Sequence, residues 1–393
     1  MKKRTLKDIE LNGKRVIARV DFNVPLQEDG SISDDARIQA ALPTIRYILE
    51  QNPAKLILMS HLGRPKGKAD DSLRMDPVAR RLSELLGEKV EKTEDCVGPE
   101  AEKKIRETGA RVVVLENLRF HPEEKAGDKE FAQKLASYAD VYVNDAFGTA
   151  HRAHASTTII AQYLPSCLGF LMEKEVKFLS SALNPQKPYV VILGGAKVSD
   201  KIEVISQLMK SADTILIGGA MAYTFLKAKG ESVGASRVEN EKLEVAAHIL
   251  QEAGQKGVKI VLPVDHLVVE KLDAPASAKT VESIPEQTMG VDVGPKTVEL
   301  FEAELRNAKT VLWNGPLGIF ETAEYAAGTE KIAGFLGKLK EAVVIVGGGD
   351  SASAAKQFRV AHQLNHVSTG GGASLEFLEG KTLPGIAAVA EKE

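Results

Sequence analysis

The sequence contains few cysteines and few aromatic residues. Two of its 393 residues are cysteines, and Phe, Trp and Tyr together make up 5% of the chain. Cys96 and Cys167 are far apart, form no CxxC pair and have no obvious histidine partner, so the pattern indicates neither a disulfide framework nor a zinc site. We expect both thiols to be buried as small hydrophobic side chains.

A basic excess and long apolar runs are also missing. The formal net charge is −3, whereas general nucleic-acid and membrane-surface binders carry a clear positive excess. No segment approaches the roughly 18 uninterrupted apolar residues of a membrane-spanning helix. The basic start MKKRTLKDIELNGKR has no apolar stretch like that of a signal peptide. We therefore expect a soluble cytoplasmic protein that binds neither nucleic acid nor membrane, with any anion site formed by a local cluster of charge.

The length and the pattern of apolar runs predict two α/β domains. A chain of 393 residues exceeds what one hydrophobic core usually supports. Short β-branched runs recur, each followed by a turn and a stretch of helical period, which is typical of βαβ units. Because the runs show no apolar–polar alternation, they favour parallel sheets covered on both faces, in two doubly wound, Rossmann-like domains. The predicted strands are residues 15–21, 55–60, 111–116, 140–145, 189–194, 213–218, 258–264, 310–313 and 342–347.

A charged amphipathic stretch separates the two halves. It reads LMEKEVKFLSSALNPQKP (171–188) and closes with two prolines. Its pattern predicts an interdomain helix followed by a loop, which would act as a mechanical hinge.

Two glycine triplets lie near the C-terminus, in VVIVGGGDSASAAKQF (343–358) and HVSTGGGASLEFLEG (366–380). In the first, an apolar run ends in glycines and leads through Asp350 and Ser351 into an alanine-rich helix. Such a turn lets a ligand approach the backbone, and the N–H groups and dipole of the helix start favour a phosphate. Asp350 would suffice to hold Mg²⁺ on a nucleotide, because Mg²⁺ needs only one or two protein carboxylates. The alternative is a tight βα turn with a capping aspartate.

The loops after the strands of the first half are rich in cationic side chains. Ligands of open α/β sheets bind beyond the carboxyl ends of the strands, and guanidinium groups match carboxylates and phosphates. The set therefore predicts a pocket for a multiply charged anion, although any one arginine alone could be a solvated surface residue. None of the histidines has a nucleophile partner in a recognisable triad motif. The residues are Arg37, His61, Arg64, Arg119, His151, Arg152 and His154.

In the second half, GGAKVSDK (194–201) places Lys197 and Lys201 four residues apart. If a helix begins near Ala196, the two ammonium groups lie on one face, and a bound polyphosphate would relieve their repulsion. The alternative is an exposed lysine pair. The segment is not a Walker A loop, and the HRD and DFG signatures of protein kinases are missing. The turn WNGPLGIFE (313–321) can help to enclose a nucleotide, and Glu321 would accept hydrogen bonds from a ribose or cap a following helix.

These segments together closely resemble the phosphoglycerate kinase family. VDFNVP, SHLGRP, ENLRF, FGTAHRAHAS, GGAKVSDKI, WNGPLGIFE, GGGDS and STGGGASLE occur in the family's order and spacing. The resemblance implies Mg²⁺-dependent, reversible phosphoryl transfer from 1,3-bisphosphoglycerate to ADP, giving 3-phosphoglycerate and ATP in glycolysis. The tail EGKTLPGIAAV resembles the family's closing segment, which returns to the N-terminal domain. The implied domains are a phosphoglycerate-binding domain of 1–170 plus 380–393, the hinge 171–188, and a nucleotide-binding domain of 189–379.

The resemblance also implies roles for individual residues. Those expected to hold the phosphoglycerate are Asp21, Asn23, Arg37, His61, Arg64, Arg119 and Arg152. Those expected at the nucleotide are Lys197, Lys201, Gly218, Gly219, Gly294, Asn314, Glu321, Gly348, Gly349, Asp350 and Ser351, with Asp350 also ordering Mg²⁺. Those expected at the transferring phosphoryl group are Arg37, Lys197, Gly371 and Gly372. Because the two sets lie in different halves, the resemblance further implies domain closure about the hinge in a protein that we expect to be a monomer.

Three other classes of protein fit the sequence less well. A nicotinamide oxidoreductase should show GxGxxG after its first strand with an acidic residue about twenty positions later, and neither is visible. A periplasmic-type binding protein should carry an export signal and has no need of a lysine pair beside a metal-binding carboxylate. A catalytically silent scaffold with the same fold is disfavoured by the intact set of charged residues.

Overall fold

The computed structural model describes residues 3–392 and divides into two compact units. The first unit contains the chain up to Lys177 together with the segment from Thr382 onward, and the second contains Phe178–Lys381. Each unit is built around its own six-stranded sheet. The fold class predicted from the sequence, two doubly wound parallel-sheet domains, is confirmed.

The sheet of the first unit is parallel throughout. Its strands are β1 (Arg15–Val20), β2 (Lys55–Met59), β3 (Val90–Lys92), β4 (Val112–Val114), β5 (Val141–Asp145) and β6 (Ser166–Leu168). They lie in the order β3-β4-β2-β1-β5-β6. β1 is central, and its Ile17 is in register with Ile57 of β2 and Tyr142 of β5. All carboxyl ends of these strands therefore meet at one edge of the sheet.

Helices cover both faces of this sheet. They are α1 (Ala36–Glu50), α2 (Asp76–Leu86), α3 (Pro99–Glu107), α4 (Pro122–Ala126), α5 (Lys129–Ala136) and α14 (Pro384–Ala387). Alternate residues of β1 enter different cores because successive side chains of a strand point to opposite faces. Val16 and Val20 pack in one cluster with Ile45 of α1. Ile17 packs in the other with Phe131 of α5.

The second unit repeats this plan and adds a small antiparallel sheet. Its parallel strands are β7 (Tyr189–Leu193), β8 (Thr214–Ile217), β9 (Lys259–Val261), β13 (Thr310–Asn314), β14 (Val343–Val346) and β15 (His366–Val367), in the order β15-β14-β13-β7-β8-β9. The antiparallel strands are β10 (His266–Val269), β11 (Lys279–Val281) and β12 (Met289–Val293). The helices are α7 (Ile202–Leu208), α8 (Met221–Ala228), α9 (Leu243–Lys256), α10 (Pro295–Leu305), α11 (Ala327–Leu336), α12 (Gly349–Gln357) and α13 (Gly372–Leu378).

The predicted amphipathic stretch at 171–188 covers all but the first residue of helix α6 (Phe170–Leu183). The chain passes from the first unit to the second within this helix, between Lys177 and Phe178. Within residues 3–392, no helix combines the length and apolar character needed to cross a membrane.

Every strand predicted from the sequence is present, most with slightly narrower limits. The predicted strand 258–264 is the most overextended, since β9 ends at Val261 before Pro263. The sequence pattern missed β3, β6 and β15, which are only two or three residues long. It also missed the antiparallel sheet of β10, β11 and β12, whose pairing depends on partners distant in the chain.

Candidate functional site

In the first unit, the parallel topology places the cationic loops at one edge of the sheet. Asp21 and Asn23 follow β1, His61 and Arg64 follow β2, and Arg152 lies beyond β5. Arg119 lies in a short 3₁₀ helix, Leu118–Phe120, after β4. Because β4, β2, β1 and β5 are neighbours in the sheet, their carboxyl ends bring these side chains together.

Three of the predicted arginines line one cavity of about 840 Å³. They are Arg64, Arg119 and Arg152. The remaining lining residues are Lys66, Gly67, His121, Pro122, Lys125 and His154. Lys66, directly after SHLGRP, and Lys125, five residues after ENLRF, were not among the predicted site residues. The cavity is therefore more cationic than the sequence predicted.

Arg119 lines this cationic cavity and is hydrogen-bonded to the backbone. Its side chain is buried, and its Nη1 donates a hydrogen bond to the Gly63 carbonyl oxygen at 2.8 Å. Burial lowers the pKa of Arg119 to about 10, and the positive charges of Arg19 and Arg152 add to the shift. Arg119 stays protonated at neutral pH, and an incoming anion would relieve this repulsion.

Asp21, Asn23 and Arg37 form a hydrogen-bonded group next to the cavity. Arg37, the second residue of α1, donates from Nη1 to Asp21 Oδ2, and the Asn23 backbone N–H donates to Asp21 Oδ1 at 3.2 Å. Burial would raise the pKa of Asp21, but His61, Arg37 and Arg19 bring it below the ordinary value. Asn23 Oδ1 accepts a hydrogen bond from the Gly63 N–H at 2.8 Å. The peptide groups of Gly63 thus link this group to Arg119.

The predicted histidines occupy different environments. His61 is 4% exposed, and burial lowers its pKa well below the ordinary value. His154 lines the cavity, and burial together with neighbouring arginines lowers its pKa to about 3. Both imidazoles are therefore neutral at physiological pH. His151 accepts a hydrogen bond from Arg152 Nε at 3.1 Å.

Both cysteines are buried and free, as the sequence predicted. However, Cys96 does have a histidine neighbour: the potential ligand atoms of Asp95, Cys96 and His121 lie within 4.8 Å of one another. These groups already have partners. His121 Nε2 is 2.5 Å from Asp95 Oδ1, and the Cys96 thiol donates to the Glu116 carbonyl oxygen at 2.8 Å. We interpret the cluster as a hydrogen-bonded ion pair beside a buried thiol.

In the second unit, the carboxyl ends of the parallel strands again share one edge. The loops that begin at Gly194, Gly218, Gly315 and Gly347 follow β7, β8, β13 and β14. Three of these loops touch through their glycines. A Cβ on Gly315 would lie 2.2 Å from the Gly194 carbonyl oxygen, and one on Gly219 would lie 2.5 Å from the Gly195 nitrogen. The close approach leaves no room for side chains at these positions.

Lys201 and Asn314 meet at the centre of this edge. Lys201 Nζ donates to Asn314 Oδ1, and Asn314 has no exposed surface. Burial lowers the pKa of Lys201, while the charges of Asp350, Asp200 and Glu379 oppose the shift. The carboxylate of Asp350 is therefore close enough to act electrostatically on this ammonium group.

The helix start near Ala196, on which a shared face of the two lysines depended, is not observed. Residues 195–201 are not helical, and α7 begins at Ile202 with Lys201 at its N-cap position. Lys197 is exposed in this turn, so the two lysines do not share a helix face. The Ser199 N–H and Oγ in this turn donate hydrogen bonds to the Glu239 carboxylate at 3.0 and 2.6 Å.

The first glycine triplet forms the predicted strand–turn–helix. Gly348 has φ +90° and is the N-cap of α12, so Gly349 and Asp350 are its first residues, both exposed. Ser351 is buried, and its Oγ accepts a hydrogen bond from the Gly315 N–H at 2.5 Å. The Ser351 hydroxyl thus joins two loops. The helix start nevertheless presents backbone N–H groups beside an exposed carboxylate.

The other residues predicted to contact the nucleotide or the transferring phosphoryl group lie in several different elements. Gly371 has φ +51° and precedes Gly372, the first residue of α13. Gly294 lies at the end of β12 and packs against Asp265, whose carboxylate accepts from the backbone N–H of Thr297 in α10 at 2.8 Å. Glu321 is exposed and is not the N-cap of the following 3₁₀ helix, so the capping alternative is wrong.

Comparisons with known proteins agree with this arrangement. The family model described as "Phosphoglycerate kinase" matches residues 6–381. The chain is 55% identical over 391 residues to the phosphoglycerate kinase of Dictyoglomus turgidum, covering 98% of each chain. It is 54% identical over 396 residues to that of Moorella thermoacetica, covering 100% of both chains. The solved phosphoglycerate kinase structure from Coxiella burnetii is similar with a TM-score of 0.89 at 40% identity, covering 98% of each chain.

Proposed function

The chain belongs to the phosphoglycerate kinase family, and from that premise we propose that it transfers a phosphoryl group reversibly from 1,3-bisphosphoglycerate to ADP. The products are 3-phosphoglycerate and ATP, and the enzyme is a phosphotransferase that uses a carboxyl group as acceptor. The observation that carries the proposal is the cavity in which Arg64, Arg119 and Arg152 converge. Three guanidinium groups around one cavity suit a small phosphorylated acid, because each can bind an oxyanion in a bidentate manner.

We assign the phosphoglycerate to the first unit. Arg64, Arg119 and Arg152 would bind its phosphate, which carries the highest charge density. The neighbouring group of Asp21, Asn23, Arg37 and His61 would orient the rest of the molecule. Asp21 can accept hydrogen bonds from a hydroxyl group, whereas Arg37 and His61 can donate to a carboxylate.

We assign ADP and ATP to the glycine-rich edge of the second unit. The N-terminus of α12 offers backbone N–H groups to a phosphate, supported by the helix dipole. Lys197 and Lys201 add positive charge, and the close-packed loops at Gly218 and Gly219 leave a surface without side chains for the nucleotide. Gly294, Asn314 and Glu321 would contribute at the nucleoside end.

Asp350 fits the role of a Mg²⁺ ligand. Its carboxylate is exposed at the start of α12, which leaves space for the water molecules and phosphate oxygens that usually complete the shell of this ion. When bound, Mg²⁺ would neutralise part of the polyphosphate charge. We therefore include Mg²⁺ as the metal of the reaction and Asp350 as its protein ligand.

The reaction needs no general base. The group of 3-phosphoglycerate that attacks ATP is a carboxylate, which is already ionised near neutral pH. The chain's own contribution is alignment and positive charge, since phosphoryl transfer spreads negative charge over the equatorial oxygens. We propose that Arg37 and Lys197 supply most of this charge, each worth about 3 kcal/mol by comparison with oxyanion-hole donors, and that Gly371 and Gly372 line the path of transfer.

Direct transfer requires donor and acceptor to meet, so we propose that the two units close during turnover, with α6 as the hinge. Closure would also exclude water and limit hydrolysis of the acyl phosphate. Solution scattering with each substrate alone and with both together tests this step. Compaction with both ligands supports closure, and an unchanged radius of gyration contradicts it.

A coupled assay tests the proposed activity. The purified protein should form ATP from ADP and enzymatically generated 1,3-bisphosphoglycerate, and it should run in reverse with 3-phosphoglycerate and ATP. Arg64→Ala should raise KM for 3-phosphoglycerate, whereas Arg15→Gln, an exposed change elsewhere in the first unit, should leave it unaltered. A protein that catalyses phosphoryl transfer in neither direction would refute the assignment and favour a silent scaffold.

We further propose that the enzyme is a cytoplasmic monomer. Each unit has its own core. Light scattering during gel filtration tests the oligomeric state, and a mass well above 42.3 kDa would contradict it.

A further inference from the structure

Arg19 is an arginine in the middle of a buried strand. It belongs to β1 and is 1% exposed, between the apolar residues Ala18 and Val20. A charged side chain is rarely buried to this extent unless it is paired and hydrogen-bonded. Neither the predicted substrate site nor the lining of the cationic cavity includes Arg19.

The guanidinium group of Arg19 has three defined hydrogen-bond partners. Its Nε donates to Ser156 Oγ at 2.9 Å, its Nη1 donates to the Val20 carbonyl oxygen, and its Nη2 lies 3.0 Å from His61 Nδ1. The contact with His61 is the important one for function. It joins Arg19, which we do not place in contact with the substrate, to His61, which we do.

The charge of Arg19 is balanced within the same network. Ser156 Oγ donates to Glu124 Oε1 at 2.6 Å, and the Ser156 N–H donates to Glu124 Oε2 at 3.0 Å. Glu124 has no exposed surface. Arg19 and Glu124 are therefore opposite charges linked through one serine, which keeps both charges buried without leaving either unpaired.

The chemistry of the contact determines which imidazole nitrogen carries hydrogen. Arginine has only donors and does not lose its proton in proteins. Nδ1 of His61 must therefore be the acceptor, and in a neutral imidazole the hydrogen then lies on Nε2. Burial lowers the pKa of His61 well below its ordinary value; the charge of Asp21 opposes this shift, and the charges of Arg19, Arg119 and Arg37 add to it. The ring is thus neutral at physiological pH.

We propose that Arg19 is a positioning residue that holds His61 in the tautomer with hydrogen on Nε2, so that His61 donates a hydrogen bond to the phosphoglycerate. Glu124 and Ser156 hold Arg19 in place. The inference rests on the proposed function for the identity of the acceptor, but the tautomer itself is a property of the free protein. Arg19 does not touch the substrate and acts only through His61.

Nitrogen NMR of the imidazole side chains tests the tautomer directly. The protein is labelled with ¹⁵N-histidine, and among its 8 histidines the signals of His61 are assigned with His61→Gln. We expect Nδ1 of His61 to be unprotonated and Nε2 to be protonated at neutral pH, and Arg19→Met to produce a mixture of tautomers. A His61 with hydrogen on Nδ1, a charged His61, or a signature that survives Arg19→Met would overturn the proposal.

Arg19→Met leaves the buried carboxylate of Glu124 unpaired and can prevent folding. The double variant Arg19→Met/Glu124→Gln removes both charges and is then measured instead, with the same expected loss of the tautomer signature. Arg15→Gln is the matched control, because Arg15 lies in the same strand but pairs with Asp140 at the surface. It should leave the His61 signals unchanged.

Steady-state kinetics test the link to the substrate. In Arg19→Met, or in the double variant, His61 loses an oriented hydrogen bond to the charged substrate. KM for 3-phosphoglycerate should therefore rise about tenfold, with KM for ATP unchanged. An unchanged KM for 3-phosphoglycerate in a variant that has lost the tautomer signature would overturn this link. A parent protein without kinase activity would refute the proposed function but not the imidazole result, so the two failures are distinguishable.

Discussion

Replacing Asp145 by asparagine should stabilise the first unit at alkaline pH and have little effect at acidic pH. Asp145 ends β5 with no exposed surface. Its Oδ1 accepts hydrogen bonds from the backbone N–H groups of Leu171 at 2.9 Å and Met172 at 3.2 Å, in the first turn of α6. Gly169 leaves room for this contact, since a Cβ there would lie 2.2 Å from Asp145 Oδ1.

The expected size of the effect follows from the pKa of Asp145. Burial raises this pKa from 3.8 to about 7, although hydrogen bonds from Thr44, Met172 and Leu171 oppose the shift. Between these two values the folded state keeps a proton that the unfolded state has lost, so stability falls as pH rises. A shift of about three units amounts to roughly 4 kcal/mol above pH 7, at about 1.4 kcal/mol per unit. Asparagine keeps an acceptor for the helix and never ionises, so it avoids this penalty.

Urea unfolding of Asp145→Asn and the parent protein, followed by far-UV circular dichroism at several pH values, measures the difference. The free energy of unfolding of the variant should exceed that of the parent by about 2–4 kcal/mol at pH 8 and by much less near pH 4.5. Asp140→Asn is the control, since Asp140 is partly exposed and pairs with Arg15 near the surface, so the change should alter stability by less than about 1 kcal/mol. A variant whose advantage does not grow with pH would refute the reasoning.

Substitutions at three further positions test the second unit. Lys197→Ala should lower kcat by about a hundredfold or more. Lys197→Arg should also be slow, because a planar guanidinium cannot place a compact charge at the same point. Near-normal turnover of either variant in the coupled assay contradicts the role of Lys197 in stabilising the transferring phosphoryl group. Asp350→Asn should raise the Mg²⁺ concentration required for half-maximal rate without changing KM for 3-phosphoglycerate, and an unaltered Mg²⁺ requirement removes Asp350 as the ligand. Gly315→Ala should destabilise the second unit by about 1–3 kcal/mol, because Gly315 has φ +108° and its Cβ would lie 2.2 Å from the Gly194 oxygen. The shift in urea midpoint is read from the fluorescence of Trp313, whereas Gly254→Ala, in open space on α9, should not destabilise.

Much of the fold could be predicted because its signals are local. Near-continuous apolar runs such as residues 189–193 form central parallel strands, and the glycines after them form the turns. Parallel strands then bring their carboxyl ends to one edge, which is why Arg64, Arg119 and Arg152 could be grouped before their positions were known. The short edge strands β3, β6 and β15 carry too few residues for such a signal.

The sequence by itself therefore determined the fold class, the family and the candidate residues, since each depends on periodicity or on motifs read within a short window. Only the tertiary structure decided how these residues are paired. Three features depend on contacts between separate segments of the chain. They are the start of α7 at Ile202, the burial of Arg19 against His61 and Ser156, and the contact of Asp145 with α6. The physical reason is that burial and hydrogen-bond partners determine protonation and orientation, and both are properties of the packed molecule.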